Sequence, residues 1–404
     1  MMKREVFEGV KAVDFGWIGV GSKVMTALAL YGATVVRVES IKRPEMLRTA
    51  PPYKDGIAGI NRSGFFAFYN AGKYDITLDL KHPKGAEIAK RLVSWADVVS
   101  NSFAAGAFER LGLGYDDLTK IKPNIIMYRT CSQGLTGPHA KHPGFGSQVV
   151  GIAGFTHLTG WPDRDPVQPF GAYTDHIAMP FGIIALAGAL DYLRKTGKGQ
   201  LLDLSQFEAS IHFLTPFILD YEINHRDGER MGNACPYGAP HGAYRCHGED
   251  RWCVIAVFTD EEWRAFGKVI GNPTWIKNPK FATLRNRKQN EEELNAFIEQ
   301  WTKNHTAEEV MNLMQKAGVA AGIVANTADQ CQEPLNRWGS YLVLKHKEIG
   351  PYQHLIPEFN LSETPANARM PSPCLGEHTE YVCKEFLKMS EAEFDELLVS
   401  GVFE

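Results

Sequence analysis

Short apolar strands alternate with helices through the first third of the chain, and this alternation is the strongest constraint on its fold. Residues 10–15 (VKAVDF) are predicted as a buried strand, residues 16–21 as a glycine-rich turn, residues 23–31 as an apolar helix and residues 34–39 (TVVRVE) as a second strand. Further strands and helices follow at similar spacing up to Tyr128. Because parallel strands need long crossover connections, this order predicts a mainly parallel sheet and an α/β fold.

The glycine-rich turn imitates the dinucleotide-binding fingerprint without matching it. Gly16, Gly19 and Gly21 give the spacing G-x-x-G-x-G, and a fingerprint that began at Gly19 would need its third glycine where Val24 stands. The spacing therefore argues against a nicotinamide enzyme, although a ligand of nucleotide shape remains open.

A second constraint is the long apolar helix that is predicted after Asp175. Its apolar side chains leave too few polar positions for a surface helix, so we expect burial on most sides; they are Phe181, Ile183, Ile184, Leu186, Leu190 and Leu193. Arg194, Lys195 and Gly197 mark the end of the helix. Asp175 stands where the helix begins, and there the free N–H groups favour an ionised carboxylate. Such a position suits an N-cap residue, and it also suits a nucleophile.

The length of the chain predicts two domains, because 404 residues exceed one typical core. We expect the large domain to begin with residues 1–224 and a small α+β domain with its linkers to occupy residues 225–330. Residues 331–404 are expected to return to the large domain. The segment 226–245 is rich in glycine and proline, which is typical of a flexible loop or linker.

Composition argues against several classes of partner. The formal net charge is −4 and there is no dense basic run, so no nucleic-acid partner is expected. The apolar run 181–190 is interrupted by glycines and is too short to span a bilayer, so no membrane is expected. The N-terminus lacks an apolar signal region, which favours the cytoplasm. The seven cysteines form no C-x-x-C pair, so neither a disulfide framework nor a metal site is predicted.

Five stretches of the chain form a pattern when they are taken together. They are VKAVDF…ALYGATVVRVES, FYNAGKYDITLDLKHPKG, ADVVSNSFAAGAFERLGLGYDDLTKIKPNII, GAYTDHIAMPFGIIALAGALDYLRKTGKGQLLDLSQFEA and LGEHTEYV. In this order they resemble the class III CoA-transferases, the CaiB/BaiF-like family of formyl-CoA:oxalate and carnitine CoA-transferases. The resemblance implies a Rossmann-like large domain, a small domain, and two subunits that thread through one another as interlocked rings.

The resemblance places the family's catalytic aspartate on Asp175. It implies that this carboxylate attacks an acyl-CoA thioester, forms a mixed anhydride, and is then converted by the released CoA thiolate into an enzyme–CoA thioester. The carboxylate of the acceptor acid repeats the sequence in reverse. The chemistry needs an ionised carboxylate and the exclusion of water, because anhydrides hydrolyse. Coenzyme A is thus expected as acyl-CoA substrate, together with carboxylic acids, and no metal is expected.

Five polar residues near the loops that follow the strands are the expected CoA contacts, because CoA carries phosphates. They are Arg43, Arg48, Lys73, Ser102 and Arg110. Arg110 matches a CoA-contacting arginine of the family most closely, and Ser102 stands where an asparagine is usual. For the other cations, solvated surface charge is the alternative. The segment 232–242 resembles in position the loop that closes over the acyl site, although a plain linker would have the same composition.

Some residues depart from the family pattern. Gly19 stands where glutamine is usual in the first loop, and Ser132 and Gln133 replace a glycine and an aromatic residue. These positions lie around the acyl and CoA pockets, so the resemblance does not imply a substrate. The assembly also stays open between a homodimer and a heterodimer or heterotetramer with a related subunit. A non-catalytic CoA-binding subunit is a further alternative.

The nearest alternative activity is that of α-methylacyl-CoA racemase, which has the same fold. A racemase needs two opposed bases, with a histidine in a G-H-D stretch before the apolar helix. After Gly144, Phe145 and Gly146 occupy the places of that histidine and aspartate, and His142 lies too early. The pattern therefore favours transfer over racemisation.

Cations and aromatic residues crowd the glycine-rich segment. They are His225, Arg226, Arg230, Tyr237, His241 and Arg245. An exposed linker would account for them, but cations there could bind a second carboxylate. This suggests a dicarboxylate donor such as succinyl-CoA, with an aryl or branched acid such as benzylsuccinate as acceptor.

Overall fold

The computed structural model describes residues 5–332, 341–356 and 359–404. These residues form two compact units. Of the described residues, those within Met1–Phe155, Gln168–Arg226 and Gly339–Glu404 belong to unit 1, and those within Thr156–Val167 and Asp227–Trp338 belong to unit 2. The division into domains with boundaries at residues 225 and 331 stays a prediction.

Unit 1 contains a six-stranded sheet and a two-stranded hairpin, and unit 2 contains a three-stranded sheet. The strands, numbered in chain order, are β1 (Lys11–Phe15), β2 (Thr34–Glu39), β3 (Tyr74–Thr77), β4 (Val98–Asn101), β5 (Ile126–Cys131), β6 (Leu201–Ser205), β7 (His241–Arg245), β8 (Trp252–Ala256), β9 (Ala320–Ile323), β10 (Tyr341–His346) and β11 (Gly350–Leu355).

The α-helices of the described residues connect these strands and follow them. Numbered in chain order, they are α1 (Gly19–Leu30), α2 (Gly64–Asn70), α3 (Pro83–Trp95), α4 (Tyr115–Ile121), α5 (Gly146–Ile152), α6 (Phe155–Leu158), α7 (Tyr173–Thr196), α8 (Gln206–Ile211), α9 (Thr215–Asn224), α10 (Asp260–Val269), α11 (Leu284–Gln289), α12 (Glu291–Thr302), α13 (Ala307–Lys316), α14 (Thr327–Gln330), α15 (Thr379–Tyr381) and α16 (Glu391–Val399).

The six strands of the large sheet are all parallel, in the order β3-β2-β1-β4-β5-β6. β4 is buried along its whole length, as expected for a strand that is covered on both faces. The predicted α/β class with a mainly parallel sheet is confirmed, and the strand order is that of a Rossmann-like fold. The order reverses between β1 and β4, so a ligand crevice is expected beside the carboxyl ends of these two strands.

Helices cover both faces of the large sheet. On one face the core includes Leu92 of α3, Leu118 of α4 and Phe394 of α16. On the other face it includes Leu28 of α1 and Leu186 of α7. Because α16 contributes to the first core, the C-terminal segment is part of unit 1.

Unit 2 is built on an antiparallel sheet in the order β7-β8-β9. Phe266 of α10, Ile298 of α12 and Met314 of α13 form its core together with residues of the sheet. β7 and β8 pair as an antiparallel hairpin. The sequence pattern did not indicate β9, because its residues AAGI include two alanines and a glycine, which carry little strand preference.

α7, with 24 residues, is less buried than the sequence pattern predicts. Leu186 is buried, whereas Phe181 and Ile184 are exposed. The prediction of burial on most sides is wrong for the single chain, because α1 and α8 cover only part of the helix surface. By length and composition alone α7 could cross a membrane, a test that core helices of soluble proteins also pass. The absence of a membrane partner stays a prediction.

Candidate active site

The glycine-rich turn after β1 leads into α1 at the point where the strand order reverses. α1 begins at Gly19, earlier than the predicted residue 23. Ile18 precedes it with φ 58° and ψ −147°, and a positive φ is rare for a β-branched residue. The chain therefore enters α1 through strained backbone.

Asp175 is the third residue of α7. The residue is only 8% exposed, and its Oδ1 has no hydrogen-bond partner among the described residues. Ala172 is the N-cap residue of the helix, and its side chain makes no capping bond. The N-cap interpretation of Asp175 is therefore wrong, and its carboxylate is left available for chemistry.

Two glycines form the walls around this carboxylate. A Cβ on Gly19 would lie 2.7 Å from Oδ2 of Asp175. A Cβ on Gly146 would overlap Oδ1 and would lie 2.7 Å from the Cβ of Ala172. The Thr174 hydroxyl donates a hydrogen bond to the Gly146 carbonyl at 3.0 Å, which ties the start of α5 to the start of α7. In this arrangement only a residue without a side chain fits at either wall.

Burial raises the pKa of Asp175 to about 7, because the ionised form loses its hydration. The helix N-terminus was expected to keep this group ionised, but burial has the larger effect. The pKa of the Tyr69 hydroxyl is raised by its own burial and by the negative charge of Asp175. Near neutral pH the Asp175 carboxylate is thus partly ionised and poorly solvated, which suits nucleophilic attack on a carbonyl carbon.

Ser102 forms two hydrogen bonds with the loop before α1. Its hydroxyl accepts a hydrogen bond from the Trp17 N–H at 2.7 Å and donates one to the Trp17 carbonyl at 2.8 Å. The single proton of this hydroxyl is thus committed to the protein. The geometry favours a positioning role for Ser102 over the predicted CoA contact.

Arg48 and Lys73 lie in the interior of the fold. Arg48 is fully buried and pairs with Glu39 at 2.8 Å and with Asp75 at 3.5 Å. Lys73 is also fully buried, pairs with Asp14 at 2.8 Å, and has its pKa lowered to about 8 by burial. A phosphate could reach neither cation unless a buried ion pair were broken. The geometry favours a structural role for both residues over the predicted CoA contact, which stays a prediction, and the surface-charge alternative is wrong for both.

Arg43 and Arg110 are exposed. The Arg43 guanidinium lies 5.0 Å from the ring centre of Trp17, in the loop beside β1. Arg110 belongs to the 3₁₀ turn Glu109–Leu111, which comes after β4. Cations near the carboxyl ends of parallel strands suit a ligand that carries phosphates, so both residues stay proposals as CoA contacts.

Arg129, at the carboxyl end of β5, is a candidate that the sequence reasoning missed. It is 3% exposed and pairs with Glu109, but its Nε and Nη2 have no hydrogen-bond partner among the described residues. Ser100 Oγ and Asn101 Nδ2, at the end of β4, are also buried, and no described residue forms a hydrogen bond with either atom. Buried polar atoms are normally hydrogen-bonded, so this group suits a polar ligand. The signal that could have found it is an arginine directly after Tyr128, where the predicted alternation of strands and helices ends.

The described residues contain no group of three or more His, Cys, Asp and Glu side chains that could hold a metal ion.

An apolar groove of about 370 Å³ lies along α7, and it runs from Tyr173 and His176 to Phe213. Helical periodicity places Tyr173 and His176 on a different face of α7 from Asp175. The groove is therefore not the space around the carboxylate.

The glycine-rich segment 232–242 belongs to unit 2, where it leads into β7. Gly232 has a positive φ of 56° and lies against the ring of Trp161. The segment borders a groove of about 510 Å³ that is also lined by β8 and β9. Its role as a closing loop stays a proposal.

The cations and the aromatic residue of the glycine-rich segment belong to both units. His225 and Arg226 are in unit 1, and unit 2 contains Arg230, Tyr237, His241 and Arg245. Arg226 pairs with Asp220 at 2.6 Å, and the Arg245 guanidinium lies 4.8 Å from a ring centre of Trp252. Arg230 Nε has no hydrogen-bond partner among the described residues. Of these cations, Arg230 is therefore the best candidate for a carboxylate contact.

Comparison with known proteins relates nearly the whole chain to one family. Residues 7–379 match the model of CoA-transferase family III. A succinyl-CoA–D-citramalate CoA-transferase of Chloroflexus aurantiacus is 28% identical over 393 residues, which cover 95% of this chain and 94% of that protein. The beta subunit of a succinyl-CoA–L-malate CoA-transferase of the same bacterium is 28% identical over 399 residues, with 96% of each chain covered. A crystal structure of a CaiB/BaiF family protein from Brucella suis matches with a TM-score of 0.87 and 29% identity, covering 95% of this chain and 100% of that one.

Proposed function

This chain belongs to CoA-transferase family III, and we propose that it transfers CoA from an acyl-CoA donor to a free carboxylic acid through a covalent intermediate on Asp175. It is an enzyme, and enzymes of this family use CoA thioesters as substrates. The observation that carries the proposal is the Asp175 carboxylate, which is buried between Gly19 and Gly146 and keeps one oxygen unpaired.

In the first half of the reaction, an Asp175 oxygen attacks the thioester carbonyl carbon of the donor. The C–S bond breaks, CoA leaves as a thiolate, and an aspartyl–acyl anhydride forms. The thiolate then attacks the aspartyl carbonyl carbon, the anhydride C–O bond breaks, and the donor acid leaves as a carboxylate. Asp175 is now joined to CoA as a thioester, and no net proton has been taken up or released.

In the second half, the acceptor carboxylate attacks the aspartyl–CoA carbonyl carbon and expels the CoA thiolate. The thiolate attacks the acyl carbon of the new anhydride, which releases the new acyl-CoA and restores the Asp175 carboxylate. The burial of Asp175 supports this route, because water would hydrolyse the anhydride intermediates. The pKa of about 7 supports it as well, since a substantial ionised fraction is then present at neutral pH.

The phosphates of CoA are proposed to contact Arg43, Arg110 and Arg129. The first two cations are exposed, and the third has two buried donors without a partner among the described residues. All three lie near the carboxyl ends of the central strands or in the segments that follow them. Such ends are where ligands bind in open parallel sheets.

Succinyl-CoA is proposed as the donor, with an aryl or branched acid such as benzylsuccinate as the acceptor. The names of two relatives support the donor, since both pair succinyl-CoA with a hydroxy dicarboxylic acid. The unpaired Nε of Arg230 supports the binding of a second carboxylate. The proposed donor and the proposed acceptor concern only substrate specificity, so either can be wrong without affecting the proposed role of Asp175.

Transfer is favoured over α-methylacyl-CoA racemisation by the identity of residues 145 and 146. Racemisation needs a second base that faces the substrate opposite the first. Phe145 stands in the place of the racemase histidine, and Gly146, which lies against Oδ1 of Asp175, carries no base either. Solvent deuterium at the α-carbon of recovered acyl-CoA would support the racemase instead.

The chain is proposed to act as a dimer of interlocked subunits, formed either by two copies or with a related subunit. Apolar side chains that are exposed in the single chain support a partner, and they include Ile184 of α7 (69% exposed) and Ile223 of α9 (72%). The relative that is a beta subunit supports the heteromeric form. Light scattering on the purified chain distinguishes the two: an active species of twice the chain mass indicates a homodimer, and an inactive monomer indicates a missing subunit.

A screen of donors and acceptors tests the proposed activity. Succinyl-, acetyl- and aryl-CoA are each incubated with a panel of mono- and dicarboxylic acids, and new acyl-CoA is detected by mass spectrometry. We expect turnover with succinyl-CoA and loss of all turnover in Asp175→Asn. Turnover that survives in Asp175→Asn would contradict the role of Asp175, and turnover with other donors alone would contradict the proposed donor.

A further inference from the structure

Three consecutive N–H groups of the loop before α1, at residues 16–18, are each held by a different side chain. Asp14 Oδ1 accepts from the first at 2.8 Å, Ser102 Oγ accepts from the second at 2.7 Å, and Glu45 Oε1 accepts from the third at 2.8 Å. The three acceptors come from β1 and from the segments after β4 and β2. The backbone of this loop is therefore fixed from three separate parts of the fold.

Glu45 is the least expected of these acceptors. It is 1% exposed, and its Oε2 has no hydrogen-bond partner among the described residues, although it faces Nη2 of Arg37 at 3.6 Å. Besides the Ile18 N–H, Oε1 accepts the Leu47 N–H at 3.2 Å. A buried carboxylate oxygen that has a long ion pair but no hydrogen bond among the described residues is unfavourable for folding, so the position of Glu45 calls for another explanation.

The residue that Glu45 holds is the strained one. Ile18 has φ 58° and ψ −147°, and such backbone persists only where the surroundings enforce it. The next residue, Gly19, lies against Oδ2 of Asp175, where a Cβ would be 2.7 Å away. The Glu45 hydrogen bond thus acts on the backbone that forms one wall of the active site.

We propose that Glu45 is a positioning residue, which keeps Ile18 in its positive-φ conformation and thereby holds the Gly19 main chain beside the Asp175 carboxylate. The inference rests on the proposed function of Asp175 and names a residue that acts on it through the backbone. Without Glu45, Ile18 can relax to an ordinary φ, and the wall at Gly19 shifts. A displacement of about 1 Å at a reacting group can cost on the order of 10²-fold in rate.

The test compares Glu45→Ala, Glu45→Gln, Ile18→Gly and the double variant Glu45→Ala/Ile18→Gly. Glu45→Ala should slow formation of the aspartyl–CoA adduct by on the order of 10²-fold, with a much smaller change in KM for the acyl-CoA. Glu45→Gln should keep more of the rate than Glu45→Ala, because its amide oxygen can still accept the Ile18 N–H. In the double variant glycine adopts a positive φ without strain, so the loss caused by Glu45→Ala should shrink at least about tenfold.

Asp97→Ala is the matched control. Asp97 Oδ2 also accepts a backbone N–H in unit 1, that of Lys11 at 3.0 Å, but at the other end of β1. It should lower the melting temperature without slowing adduct formation. The proposal is overturned if Glu45→Ala leaves the rate unchanged, or if the same loss remains in the Ile18→Gly background.

Amide hydrogen exchange separates this proposal from the proposed function. Glu45→Ala should increase the rate of amide hydrogen exchange at residues 17–20 relative to Asp97→Ala. An unchanged exchange rate at these residues would overturn the positioning role, even if the variant had lost CoA-transfer activity. If the unmodified protein forms no adduct with any acyl-CoA, the proposed function fails, and the exchange data still decide the role of Glu45.

Discussion

Gly146 lies so close to Asp175 that a Cβ at residue 146 would overlap Oδ1 of the carboxylate. The start of α5 thus forms one wall of the candidate active site, and Gly19 at the start of α1 forms the other. A carboxylate between two main-chain walls has a restricted direction of attack. Such restriction favours a reaction in which the same group must meet first a thioester and then a thiolate.

The substitution Gly146→Ala should reduce CoA transfer by at least about tenfold, because the added methyl group displaces the Asp175 carboxylate. It should also lower thermal stability slightly, since the methyl group meets the Cβ of Ala172. Steady-state kinetics and a melting curve measure the two effects. Gly188→Ala in α7 is the matched control, because a Cβ there has no heavy atom within 4 Å. Equal activity of the two variants would contradict the role of Gly146 as a wall beside the Asp175 carboxylate.

The rate of adduct formation should depend on pH through Asp175. Its pKa is raised to about 7, so the carboxyl is mostly protonated below that pH and cannot attack. The single-turnover rate should therefore fall about tenfold for each pH unit below 7 and level off above it. Rapid-quench measurements with acyl-CoA well below saturation give the profile of the free protein. A rate that stays constant between about pH 5 and pH 8 would contradict the assigned nucleophile or its burial.

Arg129→Gln should weaken the binding of acyl-CoA by removing a cation from the crevice. We expect KM to rise by about tenfold or more with a smaller change in kcat, because phosphate contacts are made equally in the ground state and the transition state. Arg91→Gln is the control, since Arg91 also pairs with a glutamate, Glu393, but packs near the C-terminal segment. If the two variants had the same KM for acyl-CoA, the proposed contact between Arg129 and CoA would be contradicted.

Lys73→Met should destabilise the fold and leave the affinity for CoA unchanged in the protein that remains folded. The substitution leaves Asp14 with one fewer buried cation, and breaking a buried pair costs about 3–5 kcal/mol. Lys42→Met breaks an exposed pair with Asp79 and should cost less than about 1 kcal/mol. Urea denaturation and CoA titration measure the two properties. A stable Lys73→Met protein with weakened CoA binding would restore Lys73 as a contact.

The order of strands and helices in unit 1 could be predicted because each element carries its own local pattern. β2 covers the predicted residues 34–39, and β1 lies within the predicted residues 10–15. The position of Asp175 at a helix start could be predicted for the same reason. The exposure of the apolar side chains on α7 could not be predicted. Composition alone does not distinguish an apolar helix that its own chain buries from one that its own chain leaves exposed.

The surroundings of single charged residues could not be predicted, because they depend on contacts between distant parts of the chain. Arg48 is buried through Glu39 and Asp75, which lie on two neighbouring strands, whereas Arg43 in the same segment is exposed. Nothing in the local sequence distinguishes these two arginines. The positive φ of Ile18 could not be predicted either, because the side chain that accepts its N–H belongs to Glu45, 27 residues further along the chain.

The most direct test of the account is to trap the intermediate on Asp175. The protein is incubated with succinyl-CoA and hydroxylamine, and in parallel with borohydride, and its peptides are analysed by mass spectrometry. We expect a hydroxamate, or a reduced side chain, at Asp175 in the unmodified protein and none in Asp175→Asn. CoA transfer that proceeds without modification at Asp175, or with modification at another residue, would contradict it.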